Sequence, residues 1–195
     1  MNSCHCEAAA EAIPRQYTNR GIATSLRGGS APRNDHQCME QIFGVLLTPL
    51  KIMKDDRGQV MHVLRADAPH FRAFGEAYVS GINAGVTKGW KIHARAIANL
   101  AVVAGRVRFV CYDAREDAPT YGEFQEVTLA PEGAAYQLLT VPAGVALAWR
   151  NLEETMALVV NCSTEAYAPE ESRTLPLDTF AYEWDRPVVP EATQE

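Results

Sequence analysis

From Phe43 onward, short runs rich in apolar residues are separated by turn-forming residues, and one of them, residues 59–64, alternates weakly between apolar and polar positions. Short apolar runs bounded by turn signals predict β-strands. No long segment has the 3.6-residue period of an amphipathic helix. Many short strands, spaced by roughly 8–12 residues, are typical of an all-β sandwich or barrel.

The predicted elements are bounded mostly by Gly, Pro, Asn or acidic residues. Residues 99–103 and 106–112 flank Ala104–Gly105 and are predicted to pair as a β-hairpin. Residues 68–74 are predicted to form one or two helical turns. The remaining predicted strands are residues 44–51, 59–64, 76–82, 123–129, 136–141, 145–149 and 156–162.

Both ends of the chain are predicted to lie outside the fold. Residues 1–38 show little hydrophobic period and are rich in Arg, Asn, Gly, Ser and Pro. Several of their runs resemble translated interspersed bacterial repeat DNA, so we expect an extension that is disordered or spurious, with translation starting at Met39. Residues 39–186 are predicted to form one domain, and residues 187–195 a flexible tail.

The composition narrows the class of protein. A chain of 195 residues and 21.4 kDa suffices for one domain with a sizeable core. A net charge of −6 and a pI near 5.4 argue against a nucleic-acid or anionic-membrane partner. No apolar run approaches the roughly 20 residues of a membrane span, and no segment has the features of a signal peptide. These features predict a cytoplasmic protein.

Cysteine usage indicates neither a disulfide framework nor a zinc site. Cys4, His5 and Cys6 have no second ligand pair at zinc-finger spacing. Cys111 and Cys162 lie in apolar runs and are predicted to be buried.

Two stretches, residues 85–105 and 142–151, match the spacing of the two motifs of the cupin superfamily. These motifs are G-x5-H-x-H-x4-E-x6-G and P-x-G-x2-H-x3-N, whose three His and one Glu hold a metal ion in metal-binding cupins. The corresponding positions here are Lys91, His93, Ala98 and Leu147. The resemblance implies a single-domain, all-β jelly-roll cupin barrel that holds no metal.

A closer resemblance covers about residues 43–184. Asp55–Asp–Arg57–Gly58, the block from Gly85 to Gly122, Pro142–Ala–Gly144 and Tyr167–Ala–Pro169 occur in the order seen in the dTDP-4-dehydrorhamnose 3,5-epimerase family. This resemblance implies a homodimer without a cofactor, and a barrel that binds a nucleotide sugar, a dTDP-4-keto-6-deoxyhexose. In such a sugar the C4 ketone acidifies the C3 and C5 protons. A base removes one, cationic donors hold the enolate and the diphosphate, and an acid returns a proton to the opposite face.

The family's catalytic positions are altered here. Its catalytic His corresponds to Lys91 and its catalytic Tyr to Asn161, and no clear counterpart is found for the Asp that orients its His. We predict Lys91 as the base, assisted by His93, because residues two apart on a strand share a face.

The predicted substrate contacts are Arg57, Lys88, Tyr78 and Asp113. Arg57 and Lys88 are expected to contact the diphosphate, although a lysine lacks the bidentate fork of the arginine that it replaces. Structural alternatives stay open for all four: Arg57 and Lys88 can be surface charges. Asp113 can pair with Arg115 or cap a turn, and Tyr78 can pack in a strand.

The sequence thus predicts a sugar-nucleotide epimerase- or isomerase-like enzyme that transfers protons next to a C4 ketone. One alternative is a catalytically silent cupin that binds a sugar nucleotide. A weaker alternative is a metal-dependent cupin enzyme.

Overall fold

Two five-stranded sheets face each other in the computed structural model, which describes residues 41–185. Within these residues, short 3-10 helices span Gly133–Ala135 and Leu177–Thr179. The strands are β1 Leu46–Pro49, β2 Ile52–Asp55, β3 Gly58–Met61, β4 Glu76–Ile82, β5 Thr87–His93, β6 Ala98–Ala104, β7 Val107–Asp113, β8 Phe124–Leu129, β9 Gln137–Val141, β10 Val145–Asn151, β11 Ala157–Ser163 and β12 Ser172–Thr174.

The strand order confirms the predicted all-β jelly roll. The first sheet has the order β1-β9-β6-β11-β4 and the second the order β12-β5-β10-β7-β8, while β2 and β3 form a separate hairpin. All of these pairs are antiparallel.

The core lies between the two sheets and follows the alternation of the strands. Leu100 and Val102 of β6 point inward from the first sheet, and Val107 and Phe109 of β7 point inward from the second. Each of the four is at most 4% exposed. Alternate residues of these strands therefore form the faces that the sheets bury against each other.

The outer face of each sheet is covered as well. On the first sheet, Tyr136 and Leu138 pack against residues of the β2–β3 hairpin and its flanks. On the second, Trp90 is fully buried beneath the C-terminal segment, where it meets Phe180 edge-on at 5.2 Å. The indole Nε1 of Trp90 also donates a hydrogen bond to the carbonyl of Leu177 at 3.1 Å.

The predicted hairpin of residues 99–103 and 106–112 is wrong. These residues form β6 and β7, which belong to different sheets: β6 pairs with β9 and β11, and β7 with β8 and β10. Gly105 joins them with φ +79°, and a Cβ on it would lie 2.8 Å from that of Ala157. A short connection with a glycine is compatible with a hairpin or with a crossing between sheets. Here β6 and β7 pair with distant strands of different sheets, so the connection is a crossing.

The helical turns predicted for residues 68–74 are also wrong. Two successive hydrogen-bonded turns form instead, from Ala68 N–H to Arg65 C=O and from Phe71 N–H to Ala68 C=O. Pro69 explains the difference, because it lacks a backbone donor and disfavours helical geometry at the residue before it.

Other sequence predictions meet the structure in part. Cys111 and Cys162 are buried free thiols, as expected, and burial raises the pKa of Cys111 to about 12. No helix within residues 41–185 combines the length and apolar character needed to cross a membrane. The predictions for residues 1–38, including the Cys4–His5–Cys6 cluster, and for residues 187–195 lie outside the described residues.

Candidate active site

A cavity of about 390 Å³ opens between the sheets, continuous with the core. Its volume is within the range of about 300–1,000 Å³ common for small-molecule sites. Apolar side chains such as Leu100 and Val159 form much of its wall. Its polar side chains come from both sheets and are Tyr78, Ser80, Lys88, Lys91, His93, Asn161 and Thr174.

Strand β5 supplies three of these polar groups. Lys91 and His93 share the inner face, as their spacing predicts, whereas Lys88 is an odd number of residues away and would point outward in a regular strand. The register with β10 steps from Leu147↔Lys91 to Trp149↔Lys88, so β5 carries one extra residue there. This β-bulge brings Lys88 to the cavity together with Lys91 and His93.

The Lys88 ammonium reaches across to β4. Its Nζ donates to the hydroxyl of Ser80 at 3.0 Å and to the carbonyl of Gly81 at 2.7 Å. Both partners are neutral, so they hold the side chain in place without cancelling its charge. Lys88 is therefore a fixed cation at the cavity wall.

His93 lies beside a carboxylate that the sequence reading did not identify. Its Nδ1 is 3.7 Å from Oε1 of Glu171, with the imidazole mostly buried. Burial and the positive charge of Lys91 lower the pKa of His93, while the charges of Glu171 and Glu76 act in the opposite direction. The imidazole is therefore neutral near pH 7, the form in which it accepts a proton.

Glu171 is buried and held by the backbone ahead of β6. Its Oε1 accepts hydrogen bonds from the amides of Arg95 at 3.0 Å and Ala96 at 2.6 Å, and its Oε2 lies 3.3 Å from Arg95 Nη2. Burial would raise the pKa of this carboxyl, but the two amide donors and the charges of Arg95 and His93 lower it overall. An ionised carboxylate thus stands next to the imidazole.

Sequence reasoning missed Glu171 because its position depends on a short, polar strand. β12 pairs with β5 so that Ser172 lies opposite His93, which places the preceding residue at the imidazole. Three residues with little apolar character give no strand signal in the sequence. The acidic pair Glu170–Glu171 after Pro169 was the only available sign, and it does not tell which of the two points inward.

Tyr78 and Asn161 face the cavity from the first sheet. They are register partners on β4 and β11, and Nδ2 of Asn161 donates a hydrogen bond to the Tyr78 hydroxyl at 2.9 Å. The structure therefore places Tyr78, which was predicted as a substrate contact, on the cavity wall rather than in the packed core.

Two other predicted substrate contacts lie away from the cavity wall. Asp113 is fully buried and accepts hydrogen bonds from Arg115 and Thr120, the pairing given as its structural alternative. Arg57 is in the turn of the β2–β3 hairpin, 84% exposed and paired with Asp55 at 2.6 Å. Within one copy of the chain, the cavity wall therefore contains four of the predicted site residues, Lys88, Lys91, His93 and Tyr78. It does not contain Asp113 or Arg57.

The four positions that correspond to cupin metal ligands do meet in space. Lys91, His93, Ala98 and Leu147 all line the cavity. Of their side chains, the imidazole of His93 is the one of a kind that metal-binding cupins use. Among residues 41–185, no three His, Cys, Asp or Glu side chains are grouped so that they could hold a metal ion.

Comparisons with known proteins identify the family to which this sequence is similar. A sequence model described as dTDP-4-dehydrorhamnose 3,5-epimerase matches residues 39–194. The chain is 30% identical, over 148 residues, to the spore coat polysaccharide biosynthesis protein SpsL of Bacillus subtilis strain 168. That alignment covers 74% of this chain and 97% of SpsL.

Solved structures of sugar-nucleotide isomerases and epimerases are also similar to this chain. A dTDP sugar isomerase from Desulfovibrio desulfuricans G20 superposes with a TM-score of 0.71 at 34% identity, covering 73% of this chain and 92% of that one. A Legionella pneumophila 3,5-epimerase in complex with dTDP-4-keto-L-rhamnose superposes with a TM-score of 0.62 at 25% identity, with coverages of 70% and 74%.

Proposed function

We propose that this chain, which belongs to the dTDP-4-dehydrorhamnose 3,5-epimerase family, epimerises a dTDP-linked 4-keto-6-deoxyhexose in the cavity between its sheets. The family and the relatives support a sugar-nucleotide epimerase or isomerase function. The dTDP-linked sugar is supported by the names of the solved relatives, one of which holds a dTDP-4-keto sugar.

The observation that carries the proposal is the placement of an imidazole beside a lysine side chain on one wall of the cavity. His93 and Lys91 share the inner face of β5, and the charge of Lys91 lowers the pKa of His93. Abstraction of a proton next to a ketone needs such a base, and the enolate that forms needs a nearby positive charge. Both requirements are met by neighbouring side chains.

These contacts favour His93 as the base, in place of Lys91, which the sequence predicted. An ordinary lysine amine keeps its proton near neutral pH, whereas an ordinary imidazole largely loses it. We therefore assign proton abstraction to His93 and stabilisation of the enolate oxygen to Lys91. Glu171 serves as a positioning residue through its charge, because its carboxylate lies 3.7 Å from Nδ1, beyond hydrogen-bond distance, and leaves Nε2 to act on the sugar.

Lys88 is assigned to the diphosphate. Its charge is fixed by Ser80 and Gly81 and stays uncompensated by them, as an anion site requires. An ammonium binds phosphate as a point charge and does not need the planar fork of arginine.

Exchange of carbon-bound hydrogen with solvent tests the proposed function. In deuterated water, dTDP-4-keto-6-deoxyglucose is expected to gain deuterium at C3, C5 or both with wild-type protein. His93→Gln is expected to abolish the exchange, because glutamine cannot accept the proton at neutral pH. Thermal stabilisation by dTDP should survive in this variant, which serves as the control for folding and binding. Absence of exchange by wild type across several 4-keto sugars would contradict the proposal.

A catalytically silent binder is the second candidate. The presence of Asn161 at the position that corresponds to the family's catalytic Tyr favours it, because an amide is not a proton donor of comparable acidity. This candidate predicts stabilisation by dTDP without any exchange. The homodimer and the cytoplasmic location inferred from the sequence stay predictions, and the oligomeric state can be checked by sedimentation equilibrium.

A further inference from the structure

Tyr78 occupies the wall of the cavity opposite the proposed base. It lies on β4 of the first sheet, whereas Lys91 and His93 lie on β5 of the second sheet, and all three line the same cavity. Tyr78 is 38% exposed and lines the cavity, so its side chain is accessible to a ligand there. A sugar ring between the sheets would present one face to His93 and the other to Tyr78.

A series of buried hydrogen bonds fixes the orientation of the Asn161 side-chain amide. Its Oδ1 accepts a hydrogen bond from the backbone N–H of Asn99 at 3.2 Å, so its Nδ2 is the end that faces Tyr78. Asn99 is itself held, because its Nδ2 donates to the carbonyl of Cys162 and its Oδ1 accepts from the hydroxyl of Thr140, both at 2.9 Å. These donors and acceptors determine which end of the Asn161 amide is the oxygen and which is the nitrogen.

The direction of the last hydrogen bond decides what the Tyr78 hydroxyl can do. Because Asn161 donates at 2.9 Å, the phenol oxygen acts as the acceptor and its own hydrogen is not used in that contact. Within residues 41–185 the phenol donates no hydrogen bond to the protein. The free O–H is therefore available to a ligand, and the Asn161 amide stabilises the phenolate once the proton has left.

We propose that Tyr78 is the acid that protonates the enolate on the face opposite His93, with Asn161 as its positioning residue. This inference rests on the proposed epimerase function. His93 takes the proton from the carbon next to the ketone, the C–H bond breaks, and its electron pair forms the enolate held by Lys91. The Tyr78 O–H bond then breaks as a new C–H bond forms on the other face and the ketone is restored. Exchange with solvent returns a proton to the phenolate and removes one from the imidazole.

Tyr78→Phe separates proton abstraction by His93 from protonation on the opposite face. Proton abstraction and return by His93 on one face need no phenol, so solvent deuterium should still enter with retention of configuration. Inversion should fall by about 100-fold or more, the usual contribution of a general acid. Tyr121→Phe is a matched control, since Tyr121 is half exposed and is not part of the cavity wall; its inversion rate should equal that of wild type.

Asn161→Asp tests the direction of the hydrogen bond and leaves Tyr78 in place. A carboxylate accepts where the amide donates, so the phenol would donate to the introduced carboxylate and lose its free proton. Inversion should again fall at least tenfold, with exchange retained and with the dTDP-induced thermal shift intact.

The outcomes distinguish this inference from the function on which it rests. Inversion by Tyr78→Phe within threefold of wild type would overturn the role of Tyr78. An equal loss of exchange and inversion, with dTDP binding intact, would also overturn it, because the phenol would then serve proton abstraction. Failure of the wild-type protein to exchange any 4-keto sugar would instead overturn the proposed function.

Discussion

Nδ1 of His93 lies 3.7 Å from Oε1 of Glu171. The other ring nitrogen, Nε2, is the one to which we assign proton abstraction. The groups that act on the pKa of His93 are Lys91, Glu171 and Glu76, in addition to burial. Lys91 lowers this pKa and the two carboxylates raise it. The site thus contains opposing charges whose removal has opposite, measurable effects.

Two substitutions are expected to move the acidic limb of the pH profile in opposite directions. A base must be neutral, so the rate falls as the pH drops through the pKa of His93, which is below the ordinary value of 6.5. Lys91→Met removes a repulsive charge and should shift the limb to higher pH. Glu171→Gln removes an attractive charge and should shift it to lower pH. The measurement is kcat/KM for deuterium exchange against pH.

The position of the limb is informative even if both variants are slower overall. Lys54→Met serves as the control, since Lys54 is an exposed residue of β2 outside the cavity wall and should leave the limb in place. Shifts of the two variants in the same direction would show that His93 is not the titrating base.

Glu171 is also expected to stabilise the fold through its backbone contacts. Glu171→Ala leaves the amides of Arg95 and Ala96 without their acceptor and should lower the free energy of unfolding by about 2 kcal/mol or more. Glu171→Gln keeps an acceptor oxygen and should lose less. Urea denaturation of the three proteins measures the difference, and equal losses for Ala and Gln would contradict the hydrogen-bond explanation.

The same carboxyl gives the wild-type protein a pH dependence that Glu171→Gln lacks. Its folded pKa is lowered from 4.5, so its contribution to stability is present above about pH 4.5 and is lost as the pH falls through the folded pKa. The difference in free energy of unfolding between wild type and Glu171→Gln should therefore shrink in acid. A difference that does not change with pH would contradict the assigned pKa direction.

The sequence could predict Lys91 and His93 on one face because a two-residue spacing is local. It could not place Lys88, because the bulge opposite Leu147 and Trp149 depends on pairing with a distant strand. Glu171 was inaccessible for a similar reason: its position is set by β12 pairing with β5. The all-β fold was predictable since short apolar runs and turn signals recur along the chain, whereas the crossing at Gly105 required knowledge of which strands pair.

Asp113 was predicted as a substrate contact, and its surroundings support a structural role instead. The burial of Asp113 alone would raise its pKa, but hydrogen bonds from Arg115 and Thr120 lower it overall. Asp113→Ala removes one partner of a buried ion pair and should cost about 3 kcal/mol of unfolding free energy. Binding of dTDP, measured by calorimetry below the melting temperature, should change less than twofold. A large loss of affinity at unchanged stability would restore the substrate-binding role.

The crossing between the sheets at Gly105 can be tested against a second glycine. Gly105 and Gly85 both have positive φ, at +79° and +66°, so alanine is strained by about 1 kcal/mol at either position. A Cβ at Gly105 would also lie 2.8 Å from Cβ of Ala157, whereas one at Gly85 meets nothing within 4 Å. Gly105→Ala should therefore lower the melting temperature more than Gly85→Ala. Equal losses would show that this contact relaxes at little cost.

Two predictions from the sequence, a homodimer and a diphosphate contact from Arg57, constrain each other. Within one chain Arg57 lies in the β2–β3 turn, away from the wall that carries Lys91. If both predictions hold, a second copy supplies Arg57 to the cavity. Arg57→Ala and Lys91→Ala should then each be inactive alone, and their mixture should regain activity, because a mixed dimer has one site with both residues. After full exchange of subunits in an equimolar mixture, half of the dimers are mixed and about a quarter of all sites are intact. Full activity of Arg57→Ala alone would remove Arg57 from the site, and an inactive mixture that sediments as a dimer would show that no second copy supplies it.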